Sequence, residues 1–305
     1  AELARRAPLA TLTGHGGEIS ALRFNPDGTT LASIESFDGV LRLWDVAGQR
    51  ERTEPLLSSL AIFEGLAFSP DGHTLATASK ERVQFWDAAT LRPSGEEIAV
   101  HDDPTRAFET IAYTPDGRTL AAGGFMDDEI RFYDTATHRG RGMPLVVDGA
   151  YRLAFSPDGT RLARTDESGF DGLRLWDVES GEQLPQPPAG FRGTPEILAF
   201  RPDGGALALA AGPEVRFYDP ATGEETGARL PEHRGNATGL AYSTDGSGLL
   251  TSDYSGLRTW DAATHAQLGE VSTPETFARF AFSPDGRTLA TTGFQDREIG
   301  LWRLE

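Results

Sequence analysis

Seven times along this chain an apolar run ending in an aromatic residue meets a tight turn. The turns are FNPDG (Phe24 to Gly28), FSPDG (Phe68 to Gly72), YTPDG (Tyr113 to Gly117), FSPDG (Phe155 to Gly159), FRPDG (Phe200 to Gly204), YSTDG (Tyr242 to Gly246) and FSPDG (Phe282 to Gly286). Each is answered by an aromatic pair: Trp44-Asp45, Trp86-Asp87, Tyr133-Asp134, Trp176-Asp177, Tyr218-Asp219, Trp260-Asp261 and finally Trp302-Arg303. The glycines are spaced by 44, 45, 42, 45, 42 and 40 residues. A period in the low forties, with four short strands per unit, is that of a propeller blade. The chain is therefore expected to be all-β: a seven-bladed β-propeller with four antiparallel strands in each blade.

The first unit shows why the pattern folds this way. Ile19 to Phe24 is a short apolar run suited to an inner strand. In Pro26-Asp27-Gly28, Pro presets φ, Asp can bond its own backbone and Gly accepts the left-handed conformation that ends the turn. Leu31 to Ile34 reads as the second strand, Val40 to Trp44 as the third and Thr53 to Leu57 as a weak outer strand. The inner strands of the other units carry Leu66/Phe68, Ile111/Tyr113, Leu153/Phe155, Leu198/Phe200, Leu240/Tyr242 and Phe280/Phe282. Residues two apart share a strand face, so these pairs are expected to fill the seams between blades.

The last unit stops after its third strand, whereas Pro8 to Thr13 is a strand with no blade of its own. Residues 8–13 are expected to supply the outer strand of the last blade and so remove two exposed sheet edges. The reading is thus one propeller over residues 8–305, preceded by a tail or linker remnant at 1–7. That remnant, AELARRA, has no initiator Met and no signal-peptide core, so the chain is expected to be cut from a longer protein or processed.

Net charge is −18, which disfavours nucleic acid and anionic membrane surfaces as partners. There are no cysteines, hence no disulfide framework and no Cys-based metal site; a cytoplasmic location fits. No apolar run approaches the ~20 residues of a membrane helix. Lys80 is the sole lysine, and the Arg, Ala and Gly bias points to a GC-rich bacterial genome.

The stretch LTGHGGEISALRFNPDGTTLAS…DGVLRLWD, Leu12 to Asp45, resembles the WD-repeat β-propeller family, and the resemblance runs through the chain from Leu9 onward. In that family a His, a Ser or Thr, an Asp and the Trp form a hydrogen-bonded tetrad. The resemblance implies His15, Ser33 (with Ser36 second), Asp38 and Trp44 for the first unit. No other unit has Gly-His at the matching place. Asp127, Asp171 and Asp296 fall near the Asp position, Thr77, Thr251 and Thr291 near the hydroxyl position, and Tyr133 and Tyr218 replace Trp. The tetrads are therefore expected to be mostly broken, with cohesion resting on apolar packing.

The family usually binds partners on the face that bears the second-to-third-strand turns and the loops leading into the inner strands. Here those turns carry Phe37, Phe125, Phe170, Tyr254 and Phe294, and the loops add His101, Arg106, Phe108, Tyr151, Arg152, Phe191, Arg192, His233, Arg234, Phe277 and Arg279. Exposed aromatics and arginines mark interfaces; the other reading is that the rings cap the seams, and Phe108 and Phe277 align with positions where capping is favoured. Phe37, Phe125, Phe170, Tyr254, Phe294, Arg106, Tyr151, Arg152, Phe191, Arg192 and Arg279 are taken as the candidate partner-binding set.

No GxSxG elbow, Walker loop or GxGxxG motif is present, and the six histidines are spread along the chain. The carboxylates of Asp102-Asp103 and Asp127-Asp128-Glu129 lack EF-hand spacing. No cofactor and no metal is expected. The expected function is a non-catalytic platform for a protein or peptide. By resemblance it is the sensor or regulatory part of a larger bacterial signalling protein, an analogy at the level of fold. The alternative is a small-molecule binder or enzyme using the channel mouth through Glu64, Glu109, Tyr151, Arg152, Glu196 and Arg279.

Overall fold

Alternating apolar residues between Pro-Asp-Gly turns form short antiparallel strands throughout a computed structural model of the chain. The structure describes residues 8–35, 39–57, 63–79, 82–99, 108–124, 127–150, 152–165, 172–185, 195–231, 233–253, 255–272, 277–293 and 297–303. The fold is a seven-bladed β-propeller built from seven antiparallel sheets. Among the described residues no helix is long and apolar enough to cross a membrane.

The chain divides into two compact units. One holds the first, second, third and seventh sheets, the other the fourth, fifth and sixth. In the first sheet the inner, second and third strands are Ile19–Phe24, Thr30–Glu35 and Val40–Asp45. Its outer strand, expected at Thr53 to Leu57, is split into Arg50–Glu51 and Leu56–Leu57, both paired with the third strand. Pro55 lies between the pieces and has no N–H to give to a ladder. The seventh sheet takes its outer strand from the beginning of the chain: Ala10–Leu12 pairs with Ile299–Arg303 through Ala10↔Leu301, Thr11↔Gly300 and Leu12↔Ile299. The fourth sheet has three described strands, its outer edge represented by a bridge between Trp176 and Gln183.

Apolar clusters lie between successive sheets within each unit. Ile34, Leu41 and Leu43 of the first sheet meet Leu66, Leu75 and Trp86 of the second, and Ala208 and Phe217 of the fifth meet Leu240 and Trp260 of the sixth. Of the inner-strand pairs, Leu66, Ile111, Leu153 and Leu240 are buried, while Phe68, Tyr113 and Phe200 pack half-buried against these clusters.

Two kinds of turn stitch the sheets. In the first kind the glycines at 28, 72, 117, 159, 204, 246 and 286 all have φ between 68° and 75°, left-handed backbone that costs a side chain dearly. A Cβ on Gly28 would lie 3.2 Å from Pro284, and one on Gly117 would lie 3.3 Å from Pro70. In these turns, and in those of Gly72 against Pro26 and Gly246 against Pro202, the glycine rests on the proline of the neighbouring turn, whereas a Cβ on Gly204 would meet nothing within 4 Å. The turn aspartates accept hydroxyl and backbone N–H bonds, as Asp71 does from Ser69 at 2.6 Å and from the His73 N–H at 3.0 Å. Such bonds hold their carboxyls below the usual range, that of Asp245 at about 2.

The second kind follows the aromatic-Asp pair. The residue four beyond the Asp is left-handed in six sheets: Gln49, Leu91, His138, Gly181, Gly223 and His265. The His138 N–H closes this turn on the Asp134 carbonyl at 2.8 Å. The side chain then docks on the preceding sheet: His138 stacks on Phe85 at 4.1 Å and bonds the Glu96 carbonyl at 2.6 Å, and His265 covers Phe217 at 4.1 Å.

Candidate interaction surface

Under the loops, chemistry-bearing side chains are spent on holding the sheets together. The second strand of four sheets presents a hydroxyl to the indole N–H of the third strand. Trp44 donates to Ser33, Trp86 to Thr77 and Trp260 to Thr251, each at 2.8 Å, and Trp302 donates to Thr291 at 2.7 Å. Two of these hydroxyls also meet a histidine: His15 Nε2 lies 2.7 Å from Ser33 Oγ, and His233 Nε2 lies 2.7 Å from Thr251 Oγ1. Both imidazoles are buried, and burial pulls their pKa below the ordinary histidine value.

The carboxylate on His15 Nδ1 is Glu35, at 2.7 Å, the last residue of the second strand; Asp38, the residue expected there, lies outside the described residues. Glu35 also accepts the Gly17 N–H at 3.0 Å. No other unit has Gly-His at the matching place, yet the sixth also sets a histidine against its second-strand hydroxyl. His233 precedes Thr251 by the same 18 positions that separate His15 from Ser33. It follows Glu232 rather than a glycine, so a search for Gly-His passes over it, although the spacing was legible. In the sixth sheet Asp253 takes the position of Glu35, accepting from the Arg234 N–H at 3.0 Å and from Arg258 at 2.6 Å. Cohesion therefore rests on buried polar networks as well as on apolar seams.

Glu35, His15 and Ser33 stand in the relay geometry of a hydrolytic triad, a resemblance of distances only. Ser33 is 0% exposed, and its oxygen is engaged by both His15 and the Trp44 indole. A nucleophile must reach its substrate, so this cluster serves as interior glue. Arginines two residues before the third-strand aromatic add a further repeat. Arg42 bridges to Glu51 at 2.6 Å, Arg216 to Glu214 at 2.6 Å and Arg258 to Asp253 at 2.6 Å. Burying such cations requires these carboxylates.

Of the candidate partner-binding set, Phe37, Phe125, Phe170, Tyr254, Phe294, Arg106, Tyr151, Phe191 and Arg192 lie outside the described residues. Arg152 is half-buried in the inner strand of the fourth sheet. Arg279 is exposed, and its Nε donates to the Ser20 carbonyl at 2.9 Å, tying the seventh sheet to the first. Phe108 is fully buried, edge-on to Tyr133 with centroids 6.1 Å apart, so it caps a seam. Of the residues expected for the alternative small-molecule reading, the side chains of Glu64, Tyr151 and Glu196 are outside the described part. Among the described residues no group of three or more His, Cys, Asp or Glu side chains is placed to hold a metal ion.

Two of the seven repeats match a known family. Residues 6–45 and 59–87 match WD40, the WD domain, G-beta repeat. The chain is 40% identical over 80 residues to the periodic tryptophan protein 2 homolog of Schizosaccharomyces pombe, covering 26% of this chain and 9% of that protein. It is 26% identical over 206 residues to transcription initiation factor TFIID subunit 5 of Caenorhabditis elegans, covering 66% and 30%. It is 39% identical over 77 residues to the small ribosomal subunit protein RACK1z of Oryza sativa subsp. japonica, covering 25% and 22%. The chain thus spans less than a third of the length of each of these relatives.

Proposed function

We propose that the whole chain is a WD-repeat propeller acting as a non-catalytic platform for a protein or peptide partner. The observation that carries this reading is the pair of WD-repeat matches, at residues 6–45 and 59–87, together with relatives whose names place them in multi-protein assemblies, a ribosomal subunit and a transcription initiation factor. The buried triad-like cluster adds support: the repeat's own Ser, His and acid are consumed in cohesion, which leaves recognition to the variable loops. The partner's place is the face formed by the second-to-third-strand turns and the loops leading into the inner strands, where aromatics and arginines concentrate in the sequence. The larger setting in this reading is a cytoplasmic bacterial signalling protein in which the propeller is the sensor or regulatory part; the bacterial element rests on the Arg-rich, Lys-poor composition.

The test is a pull-down from host lysate with the intact protein and with the Phe125→Ala, Phe170→Ala, Arg192→Ala triple variant. The variant should lose the captured partner while keeping its melting temperature. Capture that persists at full yield would place the contact elsewhere.

A further inference from the structure

The fifth to eighth residues beyond each aromatic-Asp aspartate differ sharply between sheets. They read RERT in the first (Arg50 to Thr53), RPSG in the second (Arg92 to Gly95), EQLP in the fourth (Glu182 to Pro185), EETG in the fifth (Glu224 to Gly227) and AQLG in the sixth (Ala266 to Gly269). In the third they read RGRG, Arg139 to Gly142. In the first sheet Glu51 separates the arginines, and in the second Pro93 has no N–H. The third sheet alternates guanidinium groups with uncovered backbone.

Backbone bonds gather a third arginine at this corner. Consecutive N–H groups reach two separate turns: Asp134 donates to the Arg139 carbonyl at 2.9 Å and Thr135 to the Arg118 carbonyl at 3.1 Å. Arg141 Nη1 donates to Thr119 Oγ1 at 3.1 Å. Arg118, Arg139 and Arg141 are all exposed. Among the described residues the side chains of Arg118 and Arg139 make no hydrogen bond and no ion pair, and the N–H groups of Gly140 and Gly142 donate none. A Cβ on either glycine would meet nothing within 4 Å, so those N–H groups stand open. Met143, next along the chain, is 84% exposed.

The carboxylates at the corner are engaged in their own turns. Asp116 accepts from Thr114 Oγ1 at 2.6 Å and from the Arg118 N–H at 3.0 Å, and Asp134 accepts from the Thr137 N–H and hydroxyl, each at 2.9 Å. Arg141 stands 4.0 Å from Asp134. Three guanidiniums and open N–H donors thus face outward beside two occupied acids. Open N–H groups and arginine forks are the donors a phosphate takes. A phosphate monoester brings about −1.5 to −2 charges and three acceptor oxygens, more than a carboxylate offers. A nucleic acid needs cations in series along its backbone; this is one point on a chain of net charge −18.

We propose that the outer corner of the third sheet, formed by Arg118, Arg139, Arg141 and the N–H groups of Gly140 and Gly142, binds a phosphorylated serine or threonine of a partner protein. Met143 supplies an apolar contact for a neighbouring side chain. The corner lies at the Pro-Asp-Gly end of the strands, opposite the second-to-third-strand turn, so this proposal and the loop-face reading can fail independently.

The probe is a fluorescein-labelled eight-residue peptide of Ala and Gly with one phosphoserine and a leucine two residues before it, read by anisotropy. Its unphosphorylated form should bind at least about ten-fold more weakly. Arg118→Gln/Arg139→Gln removes side chains that make no bond within the fold. It should keep the melting temperature and weaken phosphopeptide binding at least about ten-fold. Arg92→Gln/Arg287→Gln makes the same change in net charge at the matching positions of the second and seventh sheets. It should bind as the parent does, and so should the triple variant of the loop face. Equal loss in the two double-glutamine variants would reduce the effect to overall charge and overturn the proposal. So would equal binding of the two peptides, absence of binding, loss of binding in the loop-face variant, or tighter binding of a single-stranded DNA oligonucleotide than of the phosphopeptide.

Discussion

Thr251 shows how much one hydroxyl can be asked to do. It receives the Trp260 indole N–H and sits against His233 Nε2 in a site with no exposure. Thr251→Val leaves both ring nitrogens buried without that oxygen, and each unsatisfied polar group costs about 1–3 kcal/mol. Thr77, by contrast, receives an indole N–H at Trp86 but no histidine. Thr251→Val is therefore expected to lower the urea midpoint clearly more than Thr77→Val; equal losses would show that the histidine adds nothing. The same histidines set a pH dependence. Burial lowers the pKa of His15 and His233 in the folded protein, so the unfolded chain takes up protons first, near the ordinary value of about 6.5. Stability should be level above about pH 7 and decline as the pH falls from about 6.5 through the folded-state values. The turn aspartates, whose folded pKa values are depressed, add their own loss only below about pH 4. His233→Gln, which cannot take that proton, should give a shallower decline between about pH 6.5 and 5 in urea titrations.

At the scale of the element, the non-glycine left-handed residues after the aromatic-Asp pairs are of two kinds. Leu91, His138 and His265 use their side chains against a neighbouring sheet, and for them the backbone cost is offset by packing. Gln49 has φ 52°, and its side chain is exposed. Non-glycine residues in this region cost about 1–2 kcal/mol. Gln49→Gly is expected to stabilise the protein by up to about 1 kcal/mol, part of the gain being returned as unfolded-chain entropy. His138→Gly should destabilise it, because the stacking on Phe85 is lost. Thermal unfolding of the two variants reads the difference, and a loss of stability in Gln49→Gly would show that the glutamine does pack.

For the whole molecule the weak point is closure. Ala10–Leu12 contributes a strand to a sheet whose other members come from the end of the chain, and Leu12 is buried between Ile19, Trp44 and Ile299 in the cluster shared by the first and seventh sheets. Deleting residues 1–13 uncovers the Ile299–Arg303 edge and removes Leu12 from that cluster. The truncated protein is expected to melt several degrees lower, by roughly the 2–5 kcal/mol of a core leucine, and to scatter light on concentration. A monomer with unchanged melting would show that the closing strand is dispensable.

The blade count, the strand order and the borrowed first strand were legible in the sequence, because they depend on local chemistry: Pro-Asp-Gly sets a turn wherever it occurs, alternation sets a strand face, and a repeat counts itself. The identity of the carboxylate beside His15, and the use of His233 as its counterpart in the sixth sheet, were decided by the tertiary structure. Glu35 is the last residue of the second strand, and whether its carboxylate reaches the imidazole depends on where that strand ends. The left-handed docking residues were hidden for a related reason. Gln, Leu, His and Gly share no chemistry that a sequence pattern would group together, and they share a role only because the turn geometry forces the fourth residue beyond each Asp into the same backbone conformation.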